Sequence, residues 1–226
     1  LRYRTDKGES ILSLCVCHHK NRLIEKLLTE FESLFVLEDL LDDETIEGNT
    51  LLLEAFKHNN HDAISIFLDM FILNCTSYEL ETYLNKQNSA KRTIGHHLSD
   101  ESGLLQKIGK FIDWSIKDAT GKTPLFTIFR SYDQINYSKM IKDALRAAEQ
   151  SHYGFSYNVH TDQNGNTLLH IIKSDVLLLL QSKFQIDINE KNKKGLTPLM
   201  VYIKYNRQEN MRVILNDRRL NCLNQF

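Results

Sequence analysis

Apolar residues recur along the chain with a helical period, and short polar turns separate the apolar segments. Within one block, apolar residues stand at i, i+1, i+4 and i+5, a spacing that forms a single stripe on an amphipathic helix. Four blocks share this phase: Leu23, Ile24, Leu27 and Leu28; Ala63, Ile64, Phe67 and Leu68; Tyr137, Met140, Ile141, Ala144 and Leu145; and Met211, Ile214 and Leu215. The pattern predicts a chain of paired helices, each with one buried face.

A turn motif that resembles Gly-x-Thr precedes each block. The first residue of each motif is its anchor, and the anchors are Gly8, Gly48, Lys91, Gly121, Gly165 and Gly195. Glycine suits a turn that needs positive φ, and a Ser or Thr just before an apolar run caps the first free N–H groups of a helix. The anchors are 30–44 residues apart, around the ~33 residues of one common repeat class. Helical hairpins of this size bury their apolar faces only by stacking on one another, so the sequence predicts a repeat array.

The best-kept copies are Thr123-Pro124-Leu125, Thr167-Leu168-Leu169-His170 and Thr197-Pro198-Leu199. They resemble the Thr-Pro-Leu-His-x-Ala pattern of the ankyrin-repeat family. The resemblance implies an all-α ankyrin-repeat solenoid of about six helix-hairpin repeats, some degenerate, with insertions. It also implies that His96 and His170 bond to neighbouring turns. The third repeat departs most from the pattern, because Gly95 replaces the usual Leu and its second helix is short.

The repeats, starting near residues 8, 48, 91, 121, 165 and 195, are expected to form one domain over residues 1–226, because a repeat array behaves as one cooperative body. The chain begins with Leu1 rather than Met, so we interpret it as a fragment of a longer protein.

Several blocks carry a narrower resemblance. They are Gly48 to Ala55, Trp114 to Tyr132, Pro198 to Val201, and Arg212. Together they are similar to the ankyrin region of fungal Varp-like proteins, which join a Rab exchange domain to ankyrin repeats. The resemblance implies a cytoplasmic protein recruited to endosomes, whose repeats bind a peptide segment of a sorting nexin, a retromer component or a SNARE. The alternative is the ankyrin domain of a transcription regulatory cofactor.

Charge and composition narrow the function classes. The chain has 28 basic and 29 acidic residues, a net charge of −1, which argues against a general attraction to nucleic acid. The longest purely apolar run, Val176 to Leu180, is far shorter than the ~20 residues of a bilayer span. The four cysteines fit a reducing compartment better than a disulfide framework. We therefore expect a cytoplasmic location with no direct membrane insertion and no nucleic-acid partner.

Candidate chemistry is sparse. Cys15-Val16-Cys17-His18-His19 contains metal-binding residue types, but no second ligand cluster accompanies it at zinc-site spacing, and Cys15 occupies a small buried helix position. Gly121-Lys122-Thr123 lacks the earlier glycine of a phosphate-binding loop, since Ile116 stands there. No motif pairs a nucleophile with a base. The sequence therefore predicts a non-catalytic chain without cofactor or metal.

Repeat stacking predicts a concave binding groove lined by the residues that follow the small helix positions. The predicted partner-binding residues are Lys57, His58, Asp100, Glu101, Arg130, Ser131, Tyr132, Asp175, Lys204 and Tyr205. Basic and acidic pairs alternate in this set, which favours a peptide of mixed charge. The long connection at 150–158 is either a binding loop or a disordered or self-packed loop.

Overall fold

The computed structural model describes residues 3–31, 35–98, 103–131 and 137–221, with the side chains of Ser131 and Tyr137 outside that description. The described residues form helices joined by turns, and their only β-type pairings are two isolated bridges. The predicted all-α class is therefore confirmed. None of these helices is both long enough and apolar enough to cross a membrane.

Two compact units divide the chain, unit 1 from Leu1 to His97 and unit 2 from Leu98 to Phe226. The boundary falls inside the predicted third repeat, just after a short 3₁₀ helix, Ile94–His97. The second helix of that repeat, Leu104–Ile108, belongs to unit 2 and is followed by the 3₁₀ turn Gly109–Phe111. A single cooperative domain over residues 1–226 stays a prediction.

The described part of unit 1 has six α-helices: α1 (Ile11–Cys17), α2 (Asn21–Glu30), α3 (Leu37–Leu41), α4 (Leu51–Lys57), α5 (His61–Asn74) and α6 (Ser77–Leu84). In unit 2 the described α-helices are α7 (Leu104–Ile108), α8 (Pro124–Ser131), α9 (Tyr137–Glu149), α10 (Leu168–Ile171), α11 (Val176–Leu180), α12 (Pro198–Lys204) and α13 (Gln208–Leu215). The helices pair as α1 with α2, α4 with α5, α8 with α9 and α12 with α13, as expected for helical hairpins.

All six predicted anchors form the same turn. In each turn the anchor N–H donates to the carbonyl oxygen three residues earlier over 2.8–2.9 Å, as from Gly165 to Asp162 and from Gly195 to Asn192. Five anchors are glycines with φ between +70° and +76°, and the third is Lys91 with φ +56°. A Cβ on Gly8 would lie 2.7 Å from the backbone nitrogen of Ile46. The prediction that these turns require positive φ is confirmed.

The hydroxyl and His positions of the repeats stiffen the turns. The side chains of Ser10, Thr50 and Thr197 each accept a hydrogen bond from an N–H in the first turn of their helix. His170 Nδ1 accepts from the Thr167 N–H over 3.1 Å, so its Nε2 carries the proton and donates to the Leu196 carbonyl over 2.9 Å. His170 thereby joins two successive turns, as its place in the repeat predicts.

The predicted helix stripes are confirmed in the second repeat, where all four apolar residues are buried, and for Met140 to Leu145 in the fourth. Two stripe residues are misplaced: Leu23 is 43% exposed and Leu215 is 56% exposed. Adjacent helix positions point about 100° apart. Ile24 and Ile214 take the buried direction in α2 and α13, so their neighbours turn towards solvent.

The insertion at 150–158 packs against its own unit. Tyr157 is 3% exposed, and its hydroxyl accepts a hydrogen bond from the Leu169 N–H over 3.2 Å. Phe155 stacks on Phe184 with ring centroids 3.5 Å apart. The structure therefore shows this segment packed on its own unit, and partner binding by the segment stays a hypothesis.

Candidate protein-binding clefts

A cleft of 340 Å³ lies in unit 2, beside the turns that open the fifth and sixth repeats. Hydrogen bonds fix these two turns to each other: Lys193 N–H donates to the Asn164 carbonyl over 2.9 Å, and Asn192 Nδ2 donates to Asn166 Oδ1 over 2.7 Å. Asn192 Oδ1 also accepts from the N–H groups of Lys194 and Leu196. The turn tips are therefore a rigid edge of the cleft.

Cationic side chains dominate the lining of this unit 2 cleft. They are Arg130, Lys173, Lys194, Lys204 and Arg207. Asp162 is the carboxylate among the lining residues, and its oxygens accept hydrogen bonds from the N–H groups of Asn164 and Asn166 and from the Asn166 amide. These bonds hold Asp162 within its own turn, and its single negative charge is outnumbered by the five cations of the lining.

Most of these cations have no anionic partner among the described residues. Within the described ranges, Arg130, Lys194 and Lys204 form no ion pair. Positive charges gathered in a concave site with low-dielectric walls raise the local concentration of anionic groups. The unit 2 cleft is therefore electrostatically suited to an acidic ligand.

Tyr205 adds an aromatic surface to the cleft. It caps the C-terminus of α12 and is 61% exposed. Lys204 Nζ lies 5.6 Å from its ring centroid, and the Arg207 guanidinium lies 5.7 Å from it on the following turn. Arg207 is held in place because its Nη1 donates to the Ile172 carbonyl over 2.7 Å. The ring and the two cations thus form a prearranged patch.

Unit 1 has a smaller cleft of 290 Å³ with a different charge arrangement. Lys57 Nζ lies 2.9 Å from Glu47 Oε2 and 3.4 Å from Glu54 Oε1. His58 Nε2 lies 3.2 Å from Glu54 Oε2. Burial acts to lower the pKa of Lys57, but the hydrogen bond to Glu47 and the charge of Glu54 outweigh it and raise that pKa. The charges of the unit 1 cleft therefore largely satisfy one another.

The thiol of Cys17 lies next to the Glu54 carboxylate in unit 1. It donates to Glu54 Oε2 over 3.8 Å. Burial, followed by the charge of Glu54, raises the pKa of Cys17 to about 11, so the isolated thiol stays protonated at neutral pH. Cys15 is 5% exposed, in agreement with its predicted packing role.

The predicted groove residues fall into separate places. The structure brings Arg130, Lys204 and Tyr205 together in the unit 2 cleft, and Lys57 and His58 together in the unit 1 cleft. Asp175 lies outside both linings; it has φ +53° and accepts a hydrogen bond from Ser138. Asp100, Glu101, Tyr132 and the Ser131 side chain lie outside the described residues. A binding role for this set stays a prediction.

The lining of the unit 2 cleft differs from the prediction in its charge pattern and in the residues that contribute to it. The predicted alternation of basic and acidic pairs does not hold in the unit 2 cleft, because Asp175 is directed to Ser138 and the lining is mainly cationic. Lys173, Lys194 and Arg207 line the same cleft, although they are not among the residues predicted from the small helix positions. The Lys193-Lys194-Gly195 run at a turn anchor was the available signal for Lys194.

Comparison with known proteins gives close fungal relatives and distant structural neighbours. No family model matches the chain. A UPF0507 protein of Saccharomyces cerevisiae is 48% identical over 224 residues, which cover 97% of this chain and 30% of that protein. The chain thus spans less than a third of the length of this relative.

An ankyrin repeat domain from Acinetobacter baumannii aligns with TM-score 0.61 and 17% identity over 90% of this chain and 95% of that one. The ankyrin repeat domain of Bcl-3, a member of the IkappaB family, aligns with TM-score 0.57 and 17% identity over 93% of this chain and 100% of its own. These similarities confirm the ankyrin-repeat fold.

Proposed function

We propose that this chain is a non-catalytic protein-interaction scaffold, and that the unit 2 cleft binds an acidic segment of a partner protein. The observation that carries the proposal is the set of cations, Arg130, Lys194 and Lys204, that lack an ion-pair partner within the described ranges while lining one cleft beside the exposed Tyr205.

The size and order of the cleft favour an extended peptide. Its 340 Å³ accommodates a few side chains rather than a folded domain. The linked turns at Asn164 and Lys193 hold the edge in place, so binding orders little of the scaffold itself. Tyrosine and arginine at a rigid, concave site are the residue types that most often dominate binding energy. We therefore expect carboxylates, with one apolar or aromatic anchor, in the bound segment.

Selection of displayed random peptides tests the proposed specificity. Peptides selected on the 226-residue chain are expected to be enriched in Asp and Glu. Arg130→Glu or Tyr205→Ala is expected to weaken their binding by about 1–3 kcal/mol, measured by isothermal titration calorimetry. Rising salt should weaken binding as well, because the attraction is largely electrostatic.

Lys142→Glu is the matched control, because Lys142 is an exposed lysine on α9 outside the lining of the unit 2 cleft. It should leave the affinity of the selected peptides unchanged. Selected peptides without acidic enrichment, or peptides that bind all the variants equally, would contradict the proposal. Tight binding of nucleic acid that depends on Arg130 would also contradict it, because the partner would then be of another class.

A more specific proposal is that the partner belongs to endosomal membrane trafficking and that the chain is part of a Varp-like Rab exchange-factor protein recruited to endosomes. Its support is the similarity of the blocks from Gly48 to Ala55 and from Trp114 to Tyr132 to the fungal Varp-like ankyrin region. The similar yeast protein is fungal and more than three times as long as the matched segment, which leaves length for a separate exchange domain.

Nucleotide exchange by the whole protein tests this narrower proposal. The whole protein should accelerate release of fluorescent GDP from an endosomal Rab GTPase, whereas the 226-residue chain alone should not. A whole protein that accelerates release from no endosomal Rab would contradict the exchange-factor assignment. The acidic-peptide proposal for the unit 2 cleft would stand independently of that result.

A further inference from the structure

Three different metal-ligating side chains converge in unit 1, from two repeats. Cys17 ends α1, Glu54 lies within α4, and His58 caps the C-terminus of α4. One ligand atom from each, the thiol sulfur, a carboxylate oxygen and an imidazole nitrogen, all lie within 4.8 Å of one another. Two of the three pairwise distances are 3.8 Å from Cys17 Sγ to Glu54 Oε2 and 3.2 Å from His58 Nε2 to the same oxygen.

These distances match a tetrahedral site. Zinc binds sulfur at about 2.3 Å and nitrogen or oxygen at about 2.0–2.2 Å, so neighbouring ligand atoms around one ion lie roughly 3.3–3.7 Å apart. Side-chain adjustments of up to about 1 Å would place Cys17, Glu54 and His58 around one cation. Thiolate, imidazole and carboxylate are the ligand types that zinc accepts.

The surroundings of Glu54 orient it for this role. Its Oε1 accepts hydrogen bonds from Asn49 Nδ2 over 2.7 Å and from Lys57 Nζ over 3.4 Å. Its Oε2 is thereby directed to Cys17 and His58. Hydrogen bonds to the second oxygen of a ligating carboxylate are typical of metal sites, where they fix the geometry of the ligand. Glu54 is 3% exposed, so this orientation is shielded from water.

We propose that Cys17, Glu54 and His58 form a zinc-binding site that joins α1 to α4, with a water molecule as the fourth ligand. Glu54 and His58 line the 290 Å³ cleft of unit 1, which has room for that water. On binding, the Cys17 S–H bond breaks, the sulfur donates its electron pair to Zn²⁺, and the proton passes to solvent. One thiolate and one carboxylate then balance the two positive charges of the ion.

Metal titration of the 226-residue chain tests the proposal. After treatment with a chelator, the protein should bind one equivalent of Zn²⁺ in competition with a chromogenic chelator. Co²⁺ should give thiolate-to-cobalt charge-transfer absorption and the intense visible bands of a tetrahedral site. Cys17→Ser and His58→Gln should each weaken binding at least about tenfold, and Cys17→Ser should abolish the charge-transfer absorption.

Matched variants separate this site from other thiols and imidazoles. Cys75 is a half-buried cysteine elsewhere in unit 1, and His18 is an exposed histidine next to Cys17. Cys75→Ser, Cys222→Ser and His18→Gln should each leave the zinc affinity and the cobalt spectrum unchanged.

Thermal unfolding distinguishes a loss of zinc binding from a folding defect in the variants. Zn²⁺ should raise the unfolding temperature of the unsubstituted chain and of the Cys75→Ser variant, but not that of the metal-free Cys17→Ser variant, because a ligand stabilises only the state it binds. Absence of a thiolate-to-cobalt band in the folded unsubstituted chain would overturn the proposal. Zinc binding that persists undiminished in folded Cys17→Ser would also overturn it.

Discussion

The clefts of the two units have the same kind of frame but different charge pairing. In unit 1, Lys57 is held between Glu47 and Glu54, so the positive charge is matched within the cleft. In unit 2, Arg130 and Lys194 line the cleft without an ion pair among the described residues. Each cleft lies beside turns of the same type, in which the anchor residue has positive φ. The repeat thus determines where a cleft forms, and the residues at its rim determine what the cleft attracts.

The common frame can be tested at its core, where the largest effect is expected. Leu52 and Leu169 hold the same place two residues after their capping threonines, both are fully buried, and each N–H donates to a tyrosine hydroxyl, of Tyr83 and Tyr157 respectively. Leu52→Ala and Leu169→Ala should each lower the free energy of unfolding by about 2–5 kcal/mol, as loss of a buried leucine does. Chemical denaturation followed by circular dichroism measures both. A loss below about 1 kcal/mol in either variant would show that the two frames are not equivalent.

Buried histidine should make stability depend on pH in unit 2. Burial lowers the pKa of His160 from the ordinary 6.5 to about 3, and its Nδ1 lies 2.7 Å from the Thr123 hydroxyl. Between these two values the unfolded chain binds a proton that the folded chain does not, so stability falls as the pH falls. The contribution of His160 is on the order of 1 kcal/mol per pH unit, or about 2 kcal/mol between pH 6.5 and 4.5.

His160→Asn is the variant that isolates this contribution, because the Asn amide oxygen can still accept from Thr123. Denaturation of the unsubstituted chain and of the variant at pH 7, 6, 5 and 4 should give a shallower pH dependence for the variant. Parallel curves would show that His160 titrates alike in the folded and unfolded chain. In unit 1, burial similarly lowers the pKa of His97 to about 4, so some pH dependence should remain.

The difference in charge pairing predicts a difference in stability. Glu54→Ala removes the acceptor of the Asn49 amide and of Lys57, and should cost about 1–3 kcal/mol in metal-free protein. Arg130→Ala removes an exposed cation that forms no ion pair with a described residue, and should change stability by no more than about 0.5 kcal/mol. Urea denaturation of both variants measures the contrast. Equal costs would contradict the distinction between a self-paired and an unpaired cleft.

A small gain in stability is expected at the one anchor turn that lacks glycine. Lys91 has φ +56°, a conformation that costs a residue with a Cβ about 1–2 kcal/mol. Lys91→Gly relieves that strain but makes the unfolded chain more flexible by about 0.5–1 kcal/mol. A net gain in stability of up to about 1.5 kcal/mol is expected. Gly165→Ala is the converse control: it should be destabilising, because its Cβ would lie 3.3 Å from the backbone nitrogen of Lys193 at φ +70°.

The sequence predicted the fold well because the turn anchors combine a conformational need with a cap. Gly48 and Gly165 mark positive φ, and the threonines that follow them begin helices. The third turn was also predicted, although Lys91 replaces the glycine, because Thr93 and His96 keep the repeat pattern. In the structure, His96 Nδ1 accepts a hydrogen bond from the Thr93 N–H. Stripe positions at the edge, such as Leu215, were wrong because apolar character alone does not tell which of two adjacent residues a neighbouring helix covers.

The candidate sites were harder to predict. Arg130, Lys204 and Tyr205 follow the helix register, so their places among the two residues after the small helix positions identified them. Lys194 lies at a turn tip, where no helical period indicates direction. Cys17 and Glu54 are 37 residues apart in sequence, and a ligand spacing that crosses two repeats of irregular length matches no short motif.

Quantitative affinity purification compares the partners of the unsubstituted chain with those of Arg130→Glu and Lys142→Glu, and so tests the unit 2 cleft directly. The account predicts a protein partner whose recovery falls at least about fivefold with Arg130→Glu and is unchanged with Lys142→Glu, and whose binding segment is acidic. A partner recovered equally with all three chains would contradict it.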